Sequence, residues 1–462
     1  MKLRQIAIAT LAVCGGSAFA VAPDLPAGAA AKLYVGGSSA IAPVLAGIFT
    51  QNCPAANLTT YSSKAGAGAF LTDTANGASH NVYYCSAINN PNDFGTGYNG
   101  KSIAVWKRDA GGSGIGVFAI ADGAAPIAML DTSTCDDVVG GVALCPNQVS
   151  VQPDAGISDL EPTAFNPSAN RPPAYAAHAP VTTANFESAQ PVAMVVFGIA
   201  ANTRLFNQMA ADQGTATPSI SSAAVYSLFS PGWIGSGLGW GPATTTNASN
   251  QLNICYRGIG SGTRASAQIQ FLQLPNNKFT TLFEVAGSTN PAPGPGQTLK
   301  GGNHPNEYFI SEESSSGNVI ACVEAAEAGG GYAIGFASTD RDLSAKNAKF
   351  LYLDNQNPNR VAAQQGQYPW TFQAFYNTNK TVRNAGGGAN AFDNSLFFAK
   401  AFRDAFKKPS NINAIPAGPK NGVMADTTAC NADHTLWTVD EQAVCSRVTR
   451  NGDSRTPLIF GN

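Results

Sequence analysis

Charge is scarce in this sequence. Of its 462 residues only 12% are Asp, Glu, Lys or Arg, about half the usual share for a soluble domain. The surface must therefore be built from Asn, Gln, Ser, Thr, Gly and Ala. No basic tract exceeds Lys407-Lys408 and the formal net charge is −2, which argues against a nucleic-acid partner held through phosphate contacts. Histidine is scarcer still. His80, His178, His304 and His434 stand apart without ligand spacing, and no C-x-x-C occurs, so neither a structural zinc site nor any other metal or cofactor is expected. The G-x-S-x-G elbow, the G-x-x-x-x-G-K-[ST] phosphate loop and H-E-x-x-H are all missing, which removes the usual machinery of serine hydrolases, nucleotide hydrolases and metalloproteases. No apolar run approaches the roughly 18–20 residues that a membrane helix needs.

What is present begins with an export pattern. MKLRQIAIATLAVCGGSAFA carries Lys2 and Arg4, then apolar Ile6–Val13, then Ala18-Phe19-Ala20, which reads as a secretory signal over 1–20 with cleavage before Val21. Its removal takes two basic and no acidic residues, moving the net charge from −2 to −4. Eight cysteines then remain: Cys53, Cys85, Cys135, Cys145, Cys255, Cys322, Cys430 and Cys445. An even count in an exported chain points to disulfides; eight cysteines allow 105 pairings, and pairing in chain order is the expectation taken.

Along the chain, short apolar strands alternate with small-residue turns and helices. KLYV, LTTYSS and VYYCSA read as strands, AIAPVLAGIF as a helix capped by Ser38 or Ser39, and SIAVWKR and IGVFAIA as strands around a glycine-rich hairpin, RDAGGSG. Residues 101–190 are less regular and read as an elaborated insertion. PVAMVVFGIAANTRLFNQM is strand then helix, SISSAAVYSLF a Ser-capped helix, GGGYAIGFAS and QYPWTFQAFYNT strands, and NSLFFAKAFRDAFKK an amphipathic helix before a loop-rich tail from 410 to 462. This is the rhythm of an open α/β sheet, whose ligands gather at the carboxyl ends of its strands.

One stretch concentrates anion chemistry. NICYRGIGSGTRASAQIQFLQL is strand, turn and helix, with Ala265, Ile269 and Leu272 on one face. The turn therefore sits at a helix N-terminus, where unpaired amides and a partial positive charge favour an anion. Ser261, Gly262 and Thr263 add hydroxyl and amide donors there, and Arg257 adds a planar fork suited to two oxygens. A plain Ser-capped helix after a glycine turn would have the same short motif. GGSSAIAP and KAGAGAF supply two further backbone-rich turns, and three in one chain favour binding.

YRGIGSGTRAS resembles the R-x-x-G-S-G-T phosphate loop of the periplasmic phosphate-binding proteins that serve ABC transporters. GGSSAIAPV, SISSAAVYSLFSPGWIG, NVIACVEAAEAGGGYAIGFAS and QYPWTFQAFYNT match that family's pattern in order and spacing across most of Leu33–Asn377. The resemblance implies an α/β, two-lobed type II periplasmic-binding-protein fold, each lobe a mixed sheet flanked by helices, with the ligand cleft between lobes. Lobe one takes 29–195, including the insertion at about 101–190, and returns in 337–462 with a C-terminal extension; lobe two is 196–336. Carried over by position, the anion contacts are Ser38, Ser39, Ala40, Gly66, Ala67, Ser86, Arg257, Ser261, Gly262 and Thr263.

Two departures accompany the resemblance. Ala65-Gly66-Ala67-Gly68 replaces a glycine-serine turn, keeping amides and losing a hydroxyl. The family's aspartate, acceptor for the proton of monohydrogen phosphate, falls near Ser86-Ala87, where no carboxylate stands. Asp109 is a substitute from the insertion, with a solvated loop residue as its plainer reading. The expected function is that of an exported, periplasmic or secreted, non-enzymatic protein. It would bind inorganic phosphate or a similar tetrahedral oxyanion as a monomer, with an ABC transporter membrane component as partner. The competing expectation is a secreted or surface interaction protein that keeps the fold without phosphate transport.

Overall fold

The computed structural model describes residues 28–63, 80–89, 94, 96–121, 123, 126–135, 137–139, 141–229, 240–244, 252–272, 298–300, 308–328, 331–381, 395–415, 422–432 and 434–460. The expected signal at 1–20 and the turn holding Gly66 and Ala67 lie outside these residues. Among the described residues no helix is long and apolar enough to cross a membrane.

The strands that organise the molecule are β1 (Ala31–Gly37), β2 (Leu58–Ser63), β3 (His80–Cys85), β4 (Ile103–Arg108), β5 (Val142–Cys145), β6 (Ala155–Ser158), β7 (Ser188–Asn202), β8 (Leu252–Arg257), β9 (Tyr308–Glu313), β10 (Tyr332–Ser338), β11 (Ala348–Leu353), β12 (Thr371–Thr378) and β13 (Val423–Ala425). In lobe one, hydrogen-bonded neighbours run β7-β12-β6-β1-β4-β3-β2-β5; in lobe two they run β9-β8-β10-β7. Both sheets are mixed, and helices pack on them. β1, β4 and β6 lie side by side in parallel, as do β8, β9 and β10. Strands buried on both faces read as near-continuous apolar runs, and IAVW of β4 and YAIGFA of β10 do so.

β7 crosses from one sheet to the other. Its first part, Ser188 to Val196, pairs antiparallel with Thr378 to Thr371 of β12. Its second part, Phe197 to Ala201, pairs with Ser338 to Ile334 of β10. Aromatic side chains fill the space beside this crossing. Phe229 stacks on Phe336 at 3.9 Å between ring centroids and Trp370 meets Phe271 edge-on at 4.9 Å, a geometry that adds to their area burial.

The longer helices among the described residues are α1 (Ala42–Asn52), α2 (Gly112–Ala121), α3 (Thr203–Gln213), α4 (Ser222–Phe229), α5 (Gly262–Leu272), α6 (Ser316–Ala328), and, towards the carboxyl end, α7 (Ser395–Lys407). Two differ from the sequence reading. α1 begins after Ile41 with no side-chain cap, so neither Ser38 nor Ser39 caps it. IGVFAIA belongs to α2, a helix, where a strand was expected. All of α2 from Gly112 to Ile120 is buried, so it has no amphipathic period, and a short continuous apolar run reads alike in either state. Gly116 lets this helix touch the sheet: a Cβ there would fall 2.2 Å from the carbonyl oxygen of Ile157.

The cysteines pair in chain order: Cys53–Cys85, Cys135–Cys145, Cys255–Cys322 and Cys430–Cys445. Cys255–Cys322 ties β8 to α6.

Candidate functional site

Parallel strands deliver their carboxyl ends to one edge of a sheet, and both lobes use this. In lobe one, β1 releases the chain at Ser38, β4 at Asp109 and β6 at Asp159. In lobe two, β8 ends at Arg257, β9 leads to Ser314 and Ser316, and β10 leads to Asp340.

The centre of the lobe-one edge is Asp159, which is 3% exposed. One of its carboxyl oxygens accepts from the Ser38 hydroxyl. The other accepts from Ser113 Oγ at 3.0 Å, and Ser113 Oγ accepts from the Asp159 amide at 3.1 Å. Burial pushes this carboxyl up, opposed by the two serine bonds and by the Arg257 charge; Asp340 adds a push in the same upward direction. Ser38 Oγ also accepts from the Ala40 amide at 3.1 Å, so Ser38 and Ala40 belong to one turn against the carboxylate. Ser39 lies between them, half-buried.

Lobe two contributes the start of α5. A Cβ on Gly262 would stand 2.3 Å from Asp159 Oδ2 and 2.5 Å from Ser113 Oγ, so glycine is what allows the two edges to meet. Ser261 Oγ accepts from the Arg264 amide at 3.4 Å, which makes Ser261 a helix cap as well as a site residue. Thr263 is buried beside it. The first amides of α5 have no partner within the helix.

Arg257 is 4% exposed. It donates to the Ser314 carbonyl at 2.7 Å and to Ser316 Oγ at 3.2 Å. Ser316 Oγ is in turn 3.2 Å from Ser338 Oγ, whose hydroxyl donates to Asp340. Burial pushes the Asp340 carboxyl up while Arg341 draws it down. Arg264 points into its own lobe, with Nη1 3.9 Å from Glu312 and its guanidinium 5.4 Å from the Tyr256 ring.

Lys107 is a further buried cation, and the sequence reading passed over it. Its ammonium donates to the Gly37 carbonyl at 2.9 Å and pairs with Asp109. Asp109 is therefore an inward partner of Lys107, which corrects its reading as a solvated loop residue. Burial pushes its carboxyl up, and Lys107 pulls it back.

Ser86 is a correction. β3 runs antiparallel to β4, with His80 opposite Arg108 and Cys85 opposite Ile103. The carboxyl end of β3 thus lies at the far edge of the sheet, where Ser86 is exposed and its amide donates to Asn57 O at 2.9 Å. No carboxylate stands at Ser86-Ala87; the buried carboxylate beside Ser38 and Gly262 is Asp159. Its signal was legible: AGIS is a short buried strand, and Asp159 follows it directly. The loop RDAGGSG, read as a glycine-rich hairpin, instead opens α2 and brings Ser113 to Asp159.

The arrangement is a buried convergence of hydroxyls, helix-start amides, the Arg257 guanidinium and the Asp159 carboxylate, with the Asp340 and Asp109 carboxyls close enough to act on them. That combination can hold a small protonated oxyanion.

No family model matches the chain, and no curated protein is similar to it. Among solved structures, a substrate-binding protein assigned to phosphate ABC transport, with bound phosphate, from Clostridium perfringens is 11% identical with a TM-score of 0.40, covering 85% of this chain and 98% of its own. An ABC-type phosphate transport receptor from Vibrio cholerae is 11% identical with a TM-score of 0.38, covering 83% and 96%. PstS from Borrelia burgdorferi is 12% identical with a TM-score of 0.30, covering 76% and 87%.

Proposed function

We propose that this chain is an exported solute-binding protein for phosphate or a similar tetrahedral oxyanion, working with an ABC transporter and without catalysis. Residues 29–195 and 337–462 would form the first lobe and 196–336 the second, closing on the anion. The observation that carries the reading is the seat of Asp159. It lies between Ser38 and Ser113 and directly against Gly262, so four separated segments meet at one acceptor. A buried acceptor distinguishes a protonated oxyanion from a fully ionised one, because a carboxylate facing sulfate would meet like charge with no proton to accept. Arg257, Ser261, Gly262 and Thr263 supply the positive side of the same site, with Ser38, Ser39 and Ala40 opposite.

Calorimetry of the mature, ligand-stripped protein tests this directly. Heat with phosphate and not with sulfate is expected. Heat with neither removes the reading.

A second reading has one observation in its favour. Leu436, Val439 and Phe460, all in the carboxyl tail, are 64%, 82% and 70% exposed. Such a surface suits a secreted protein that keeps the lobes for contacts with other macromolecules, and calorimetry without heat would favour it.

A further inference from the structure

Residues 166–181 of the insertion form a compact loop mounted on lobe one. Asn166 and Val181 close its base in both directions, the Asn166 amide donating to Val181 O at 2.8 Å and the Val181 amide to Asn166 Oδ1 at 2.7 Å. Inside the loop, Arg171 donates to the carbonyls of Asn166 and His178 at 2.5 and 2.7 Å. Tyr175 and His178 pack on Phe118 of α2, with ring centroids 5.7 and 5.3 Å away, and the Arg171 guanidinium lies 5.7 Å from the same ring. Loops of this kind are packed by their own side chains and are often functional.

Pro172 is a buried residue of this partly exposed loop. Its ring touches one glycine from each lobe. A Cβ on Gly114, in α2, would fall 2.4 Å from Pro172 Cγ, and a Cβ on Gly260, in the turn after β8, 2.8 Å from it. Those two glycines are themselves joined, the Gly114 amide donating to Gly260 O at 2.8 Å. The ring therefore covers the one main-chain hydrogen bond described here between the anion turn of lobe two and the start of α2.

We infer that loop 166–181 is a clasp for the closed state, with Pro172 the positioning residue that holds the two glycine turns together. The inference rests on the anion-binding reading above. Opening the lobes must pull Gly260 off the proline, so the clasp opposes release of the ligand.

The test compares the parent protein with Pro172→Ala, Gly114→Ala and the double variant. Phosphate association and dissociation rates are measured by stopped-flow, and the radius of gyration by X-ray scattering with and without phosphate. Pro172→Ala should speed dissociation on the order of tenfold, the worth of one to two methylenes removed from a buried contact, and should not slow association. Gly114→Ala should keep the phosphate-loaded protein at its open radius, and adding Pro172→Ala should bring the radius back towards the closed value. An unchanged dissociation rate in Pro172→Ala, or a Gly114→Ala protein that closes like the parent, overturns the clasp. If the parent binds neither phosphate nor sulfate, the anion reading fails by itself. The clasp is then decided by the ligand-free radius, where a larger value for Pro172→Ala than for the parent supports it and equal values overturn it.

Discussion

Ser113 Oγ lies 3.0 Å from Asp159 Oδ2, although the two residues are 46 positions apart. The contact joins the start of a helix to the end of a strand and fixes the carboxylate that an anion would meet. Asp159→Asn keeps the shape and loses the second acceptor. Phosphate affinity should fall about ten- to a hundredfold, as for a lost bond to a charged group. Sulfate should lose less or gain. Calorimetry with both anions reads the ratio, and an unchanged ratio removes Asp159 from the selectivity argument.

Arg257 holds lobe two through Ser314 and Ser316 and presents its charge to the site. Arg257→Ala should weaken anion binding by about 1.5–3 kcal/mol. Arg257→Lys should recover only part of that, since an ammonium lacks the planar fork. A parent-like dissociation constant in Arg257→Ala would reduce the turn to a capped helix.

The tail is joined to the strand edge by a buried acid. Glu161 accepts from the Ser454 hydroxyl at 2.7 Å and from its amide at 3.1 Å. Burial pushes the Glu161 carboxyl up to about 7 from an ordinary 4.5. An acid raised by folding holds an extra proton in the folded state between those values, so its stability contribution is full below pH 4.5 and lost as pH rises through 7. Glu161→Gln should flatten the stability curve over that window by roughly 1.4 kcal/mol per pH unit. Urea denaturation at half-unit steps from pH 4 to 8 measures the slope.

Cys255–Cys322 closes a separation of 67 residues, two positions before Arg257. Replacing both cysteines by alanine should cost about 4 kcal/mol in the chain-entropy model, and should loosen the anion turn more than the far side of lobe one. Hydrogen exchange at 257–265 compared with 80–85 would separate a local from a global loss.

Much of this site was legible in the sequence because its parts are local. A glycine turn between an apolar strand and an amphipathic helix marks Ser261 to Thr263, and the same logic finds Ser38. Asp159 escaped because finding a buried carboxylate at this edge required knowing which strands lie beside β1. Pattern gives strands their existence, whereas neighbours are set by pairing. VYYCSA reads as one more strand of an open α/β sheet, and β3 pairs antiparallel with both β2 and β4. The place beside β1 went to AGIS, four residues long within a stretch read as irregular. Lys107 escaped for another reason: inside an apolar strand, a lysine gives no sign of which carbonyls will hold it.

The position of β12 sets an order in time. It lies between β6 and β7, so the first sheet is split until residues 371–378 have been made. A ribosome adding about 5–20 residues per second leaves the amino-terminal part of the chain waiting on the order of ten seconds or more for the strand that joins its halves. During that wait, the edges of β6 and the first part of β7 both lack their partner. The first sheet therefore cannot be completed before about four-fifths of the chain has been made.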